Sequence, residues 1–205
     1  MKEEPKDLWL YENEAFSEGF ETVCGVDEAG RGPLAGPVCA AAVILPKGLV
    51  IDGLNDSKKL TDKKRRELYD VITQSAVSYG IAMASEQEID EINILQATFL
   101  AMQRALDKLA VKPDLALIDG NRAKDFGLPV RTIVKGDSLS ASIAAASILA
   151  KVTRDRLMEQ LDAQYPQYGL AKNKGYGTAE HIAALKQYGP TPIHRRSFIG
   201  HFVEV

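Results

Sequence analysis

Short unbroken apolar runs and longer stripes of helical period alternate along the chain, and each predicts a different element. Thr22–Asp27 and Pro37–Leu45 (P-V-C-A-A-A-V-I-L) are apolar runs separated by the Gly and Pro cluster of Gly30–Gly36. They read as two buried strands with an unusual connection. Val77–Ala84, Asp114–Ile118 and Val130–Val134 predict three more strands. Ile92, Leu95, Phe99, Met102, Leu106 and Leu109 recur at steps of three and four, which places one apolar stripe on a helix. Thr61–Ala76 predicts a charged helix with Leu68, Val71 and Ile72 facing inward. Leu139–Leu161 predicts a long helix whose first half is nearly all small residues, able to pack closely on a sheet. Thr178 suits the N-cap of a last helix, Ala179–Tyr188. This order predicts mixed α/β architecture with helices flanking one sheet.

At 205 residues the chain can bury a core without disulfide or metal staples. Residues 1–20 are expected to be a polar N-terminal segment that packs loosely, and residues 21–205 a single domain. A composition of 45% hydrophobic and 26% charged residues excludes collagen-like and disordered classes. No apolar run approaches the ~20 residues of a membrane helix, and Met1–Leu10 is too polar for a signal peptide. Cys24 and Cys39, both inside apolar runs, are therefore expected to be reduced core thiols of a cytoplasmic protein. The formal net charge of -3 hides an asymmetry: residues 1–28 hold nine acids against two lysines, so the remainder is net basic. An acidic total therefore leaves room for a nucleic-acid partner, because local potential captures phosphate.

Candidate chemistry begins where the first strand ends. Asp27 and Glu28 close an apolar run and enter Ala29-Gly30-Arg31-Gly32-Pro33. A polar strand end would explain that pair alone, but Leu115–Ile118 runs into Asp119-Gly120 in the same way. Apolar runs ending in an acid and then Gly suit parallel strands whose carboxyl ends line a site. Asp137 follows the fifth strand, where it could also cap the long helix. Asp155 reads as a solvated helix charge. Four converging acids would need a cation among them, and oxygen donors without a Cys/His pattern favour Mg²⁺ or Mn²⁺ over zinc. Gly30-Arg31-Gly32 fails both the Walker and the dinucleotide spacings, leaving a flat backbone that a ligand can approach closely. Lys58-Lys59, Lys63–Arg66, Lys172, Lys174 and His194-Arg195-Arg196 read first as solvated charge. Tyr176, between glycines and ahead of a helix start, could stack on a nucleotide or pack in the core.

Together these residues resemble the ribonuclease HII family. The motifs are Gly25-Val-Asp-Glu-Ala-Gly-Arg-Gly-Pro33, Asn55-Asp-Ser-Lys-Lys-Leu60, Ile118-Asp-Gly120, Lys135-Gly-Asp137, Ser142–Val152 with Arg154-Asp155, Lys174-Gly-Tyr-Gly-Thr178 and Pro192–Phe198. The resemblance implies a ribonuclease H-like three-layer α/β fold, with a five-stranded mixed sheet flanked by helices and a C-terminal helical portion. It implies that Asp27, Glu28, Asp119 and Asp137 are catalytic and bind two divalent ions, Mn²⁺ or Mg²⁺. Gly30, Arg31 and Gly32 would contact the ribonucleotide 2′-hydroxyl and the scissile phosphate. Tyr176 would stack on the deoxyribose that follows, and Ser57 and Lys58 would touch the strand backbone. The implied activity is hydrolysis of the RNA strand of RNA/DNA hybrids and cutting 5′ of single ribonucleotides in duplex DNA, leaving 3′-hydroxyl and 5′-phosphate ends. A monomer with no membrane partner is expected. The other readings of the same residues are a non-catalytic nucleic-acid-binding module and a Mg²⁺ phosphatase for small esters.

Overall fold

Five strands make one mixed sheet in the computed structural model, which describes residues 7–55 and 57–204. Residues 1–6 of the polar N-terminal segment, Asp56 of the Asn55–Leu60 motif and Val205 lie outside the described residues. The chain runs through α1 (Leu10–Ser17), β1 (Val23–Ala29), β2 (Val38–Ile44), α2 (Asp62–Ser75), β3 (Ser78–Ala84) and α3 (Glu86–Asp107). It continues through β4 (Leu115–Asp119), β5 (Val130–Ile133), α4 (Ala141–Gln164), α5 (Leu170–Asn173), α6 (Ala179–Tyr188) and α7 (Arg196–Ile199). The sheet order is β3-β2-β1-β4-β5. Strands β1, β2 and β3 are antiparallel neighbours, whereas β1, β4 and β5 run parallel.

Helices cover both faces, which is why every residue of β2 is buried and its sequence is continuously apolar rather than alternating. Cys24, Val26 and Ala40 face α3, while Cys39, Ala41 and Val43 face α2 and α4. The two cysteines are free, and burial pushes each thiol up to about 12. At Gly25 the α4 backbone comes so close that a Cβ would lie 2.1 Å from the Ser142 carbonyl carbon and 2.2 Å from the Ile143 nitrogen. The small residues of α4 and Gly25 thus let helix and strand approach to backbone contact. Leu34, Ala35, Met158, Leu185 and Ile199 form a further core that joins the C-terminal helices to the far end of α4.

Several boundaries differ from the sequence expectation for local reasons. The long helix starts at Ala141, because Ser140 accepts the Ile143 N–H as its cap and a single turn of 3-10 helix occupies Gly136–Ser138. α3 begins at Glu86 behind a Ser85–Glu88 capping box. It breaks at Asn93, whose φ is 66° and whose side chain receives the Leu95 and Gln96 N–H groups. On α2, Leu68 and Ile72 are buried, but Val71 is 43% exposed.

Over its described residues, 7–20, the N-terminal segment is docked rather than loose. Glu12 on α1 is buried, and its Oε1 accepts from Ser140 Oγ (2.6 Å), Ser142 Oγ (2.6 Å) and Ser142 N–H (3.0 Å). A carboxylate over the first turn of α4 compensates its unpaired N–H groups and dipole, so a polar sequence forms a docked helix. Among the described residues, no helix is long and apolar enough to cross a membrane.

Candidate active site

The carboxyl ends of β1, β4 and β5 lie side by side, the place where an α/β sheet with parallel strands presents a crevice. Val26 pairs with Ile118, so Asp27 and Asp119 follow on neighbouring rungs. Asp119 in turn pairs with Ile133, and the Gly120 N–H donates to the Ile133 carbonyl at 2.9 Å. The chain then turns through Lys135, at φ 59°, and brings in Asp137, whose peptide N–H faces Asp119 Oδ1 at 3.4 Å. Carboxylate oxygens of Asp27, Asp119 and Asp137 lie within 4.8 Å of one another.

Asp27 and Asp137 are 4% and 5% exposed. Burial, and after it the Glu28 and Asp119 carboxylates, hold the Asp27 carboxyl well above the usual range. Crowded, desolvated carboxylates of this kind become comfortable as anions only around a cation. The donors are all oxygens, which fits a hard divalent ion such as Mg²⁺ or Mn²⁺. Glu28, the next residue on the strand, stands 3.6 Å from Arg31 Nη1. Burial raises its carboxyl and Arg31 opposes the shift. The structure thus brings three of the four predicted acids into one cluster, with the fourth at its margin.

A cleft of about 210 Å³ opens from Asp27 and Glu28 and is also lined by Gly30, Arg31, Gly32, Ser57, Lys58 and Tyr176. All six predicted substrate-binding residues therefore meet Asp27 and Glu28 in one depression. Tyr176 is 45% exposed, and its ring edge lies against Gly32. Lys58 Nζ is 3.4 Å from Asp137 Oδ2, bringing positive charge to the acidic side. Ser57 is buried, and its hydroxyl lies 2.7 Å from Ser147 Oγ of α4.

Sequence reasoning missed the residues that hold this cleft. Arg154, taken only as part of a motif, is 1% exposed and donates to the carbonyls of Pro37 (2.9 Å), Ala35 (3.0 Å) and Lys174 (2.9 Å). Gly30, at φ 94°, leaves room for it, since a Cβ there would sit 2.0 Å from Arg154 Nε. Arg195 and His194 are not solvated charges either: they are 0% and 3% exposed. Asp155 is buried and paired to Lys151 at 2.8 Å. A signal was present, since Ser147, Lys151, Arg154 and Met158 follow helical steps on one buried stripe of α4. Of the basic residues, Arg66 and Lys174 both bind Glu159, at 2.6 and 2.8 Å.

A family model described as Ribonuclease HII matches residues 24–201. A ribonuclease HII of Acetivibrio thermocellus is 54% identical over 197 residues, covering 96% of this chain and 77% of that protein. One from Ruminiclostridium cellulolyticum is 58% identical over 194 residues, covering 95% and 76%. Among solved structures, the ribonuclease H2 from Pyrococcus horikoshii superposes with a TM-score of 0.72 at 32% identity, covering 86% of this chain and 93% of that one.

Proposed function

Because the chain belongs to the ribonuclease HII family, and so to the metal-dependent ribonucleases H that act on nucleic acid, we propose that it hydrolyses the RNA strand of RNA/DNA hybrids and cuts 5′ of single ribonucleotides embedded in duplex DNA. The observation that carries this reading is the convergence of Asp27, Asp119 and Asp137, with Asp27 and Glu28 also lining the cleft that holds Gly30-Arg31-Gly32 and Tyr176. Asp27, Asp119 and Asp137, with Glu28 beside them, are the residues that would hold two divalent ions, Mn²⁺ or Mg²⁺. Those ions supply activation of water and stabilisation of the leaving oxygen in phosphodiester hydrolysis.

The chain's own residues do the rest. Gly30 and Gly32 carry no side chain between backbone and ligand, so their peptide groups can reach a 2′-hydroxyl, the group that separates RNA from DNA. Arg31 can exchange its 3.6 Å contact with Glu28 for the scissile phosphate. Tyr176 offers a half-exposed ring for the sugar that follows, and Lys58 can neutralise phosphate at the edge of the cluster. The products are a 3′-hydroxyl and a 5′-phosphate end.

Incubation with Mn²⁺ or Mg²⁺ and a duplex carrying one ribonucleotide tests this. One cut 5′ of the ribonucleotide, absent from an all-DNA duplex, is the expected outcome. An intact strand under both metals would overturn the reading.

A further inference from the structure

Gly30-Arg31-Gly32 and Tyr176 stand on separate loops, one after β1 and the other between α5 and α6. Two adjacent residues of the C-terminal segment reach one loop each. Arg195 is fully buried, with the Glu86 and Asp90 carboxylates acting on it through space, and its side-chain hydrogen bonds go to backbone carbonyls. Its Nη1 donates to the Arg31 carbonyl at 2.9 Å. Its Nη2 donates to Gly30 at 2.6 Å and Gly36 at 2.7 Å, and its Nε to Gly36 at 2.9 Å. A buried guanidinium satisfied only by carbonyls is a costly way to fill space. What it supplies, and an apolar residue would not, is the position of those three carbonyls.

His194 faces the other way. Its Nδ1 accepts from the Thr191 N–H at 3.1 Å, so in the neutral ring the proton sits on Nε2. That proton points at His181 Nε2, 3.1 Å away, which leaves His181 Nδ1 to donate to the Tyr176 carbonyl at 2.9 Å. The Tyr168 ring packs against both imidazoles, with centroids 4.8 Å from His194 and 6.1 Å from His181. The Arg195 N–H is itself pinned to the Leu34 carbonyl at 2.9 Å. A single dipeptide therefore holds both recognition loops through directional bonds.

We propose that His194 and Arg195 are positioning residues that set the separation between the Gly30–Gly32 backbone and the Tyr176 ring, so that cutting at an RNA-to-DNA junction depends on their geometry while metal binding does not. The inference rests on the reading of those two elements as the parts that touch the ribonucleotide and the sugar after it.

The test is a double-mutant cycle on kcat/KM, using a duplex with one ribonucleotide and a plain RNA/DNA hybrid, with Mn²⁺ affinity and thermal unfolding followed in parallel. His194→Ala should lower kcat/KM on the single-ribonucleotide duplex about tenfold or more, as misplacement of a distant support does. On the hybrid it should cost much less, and Mn²⁺ affinity should stay unchanged. In a Tyr176→Ala background the same substitution should cost less than about twofold, because residues acting through one another are not additive. His181→Asn keeps a donor for the Tyr176 carbonyl but breaks the link to His194, and it stands in should His194→Ala fail to fold. It should show the same selective loss. Arg195→Lys keeps the charge without the fork and should raise KM about tenfold on both substrates. Additive or substrate-independent losses, or unaltered kinetics in His181→Asn, would overturn the His194 half, and an unchanged KM in Arg195→Lys the Arg195 half. If the unsubstituted protein cut neither substrate, the proposed function itself would fall.

Discussion

Asp119 adds a third carboxylate to a cluster that Asp27 and Asp137 already crowd. Its charge helps to push the Asp27 and Glu28 carboxyls upward. Asp119→Asn should therefore stabilise the metal-free protein by about 1 kcal/mol, read as a raised midpoint in denaturant. The same change should lower cleavage more than about a hundredfold. Loss of stability in that variant would show that the carboxylates are not in conflict. A second prediction concerns His194, which burial, followed by the neighbouring His181, pushes down to about 4. The unfolded chain takes up that proton near pH 6.5 and the folded one does not. The imidazole thus favours unfolding increasingly as pH drops from about 6.5 toward 4, and adds nothing further below that. Asp27 and Glu28, whose carboxyls are raised, work in the opposite direction. Comparing His194→Gln with the unsubstituted protein by chemical denaturation isolates the histidine: the variant should lose less stability across that interval. Equal slopes would show that the ring accepts a proton inside the fold.

At the scale of elements, the contact between β1 and α4 fixes how near the acids can stand to the helix that carries Ser147 and Arg154. Gly25→Ala puts a methyl group into the α4 backbone and should destabilise by at least about 3 kcal/mol, or prevent folding, as thermal unfolding would report. Behaviour like the unsubstituted protein would mean that the helix can retreat. The strands were legible because β1, β2 and β4 are covered on both faces and read as unbroken apolar runs. The acids at their ends were legible for the same reason, since Asp27 and Asp119 interrupt those runs abruptly. The helix capped by Thr178 was found at its true bounds, Ala179–Tyr188. The break in α3 was not, because Asn93 in a left-handed turn leaves no mark on the apolar spacing. Arg154, Arg195 and Asp155 were read as exposed or left without a role because a charged letter carries no record of the carbonyls or lysine that meet it in the fold. Glu12 was hidden likewise: its partners are Ser140 and Ser142, which local pattern cannot connect to it.

Across the whole molecule, the net acidic charge sits early in the sequence, while the rest carries exposed lysines, Lys58 among them in the lining of the cleft. The side chains of Lys58, Lys63 and Lys172 are 77%, 88% and 84% exposed. If roughly four phosphates are met by such groups, log affinity for a hybrid duplex should fall against log salt with a slope of about -3 to -4. A filter-binding series with Ca²⁺ in place of the catalytic ion would measure it. A flat response would remove the phosphate contacts from the account. The seal that Glu12 makes over α4 has its own consequence. Its bond to Ser142 joins residues separated by 130 positions, so the seal of α1 over α4 cannot form until most of the polypeptide has been synthesised. Contacts of such long range form slowly. Docking of that helix should therefore be a closing event of folding, and a version trimmed ahead of β1 should pay for it at a distance, with the hydroxyls of Ser140 and Ser142 left bare a few residues from Asp137.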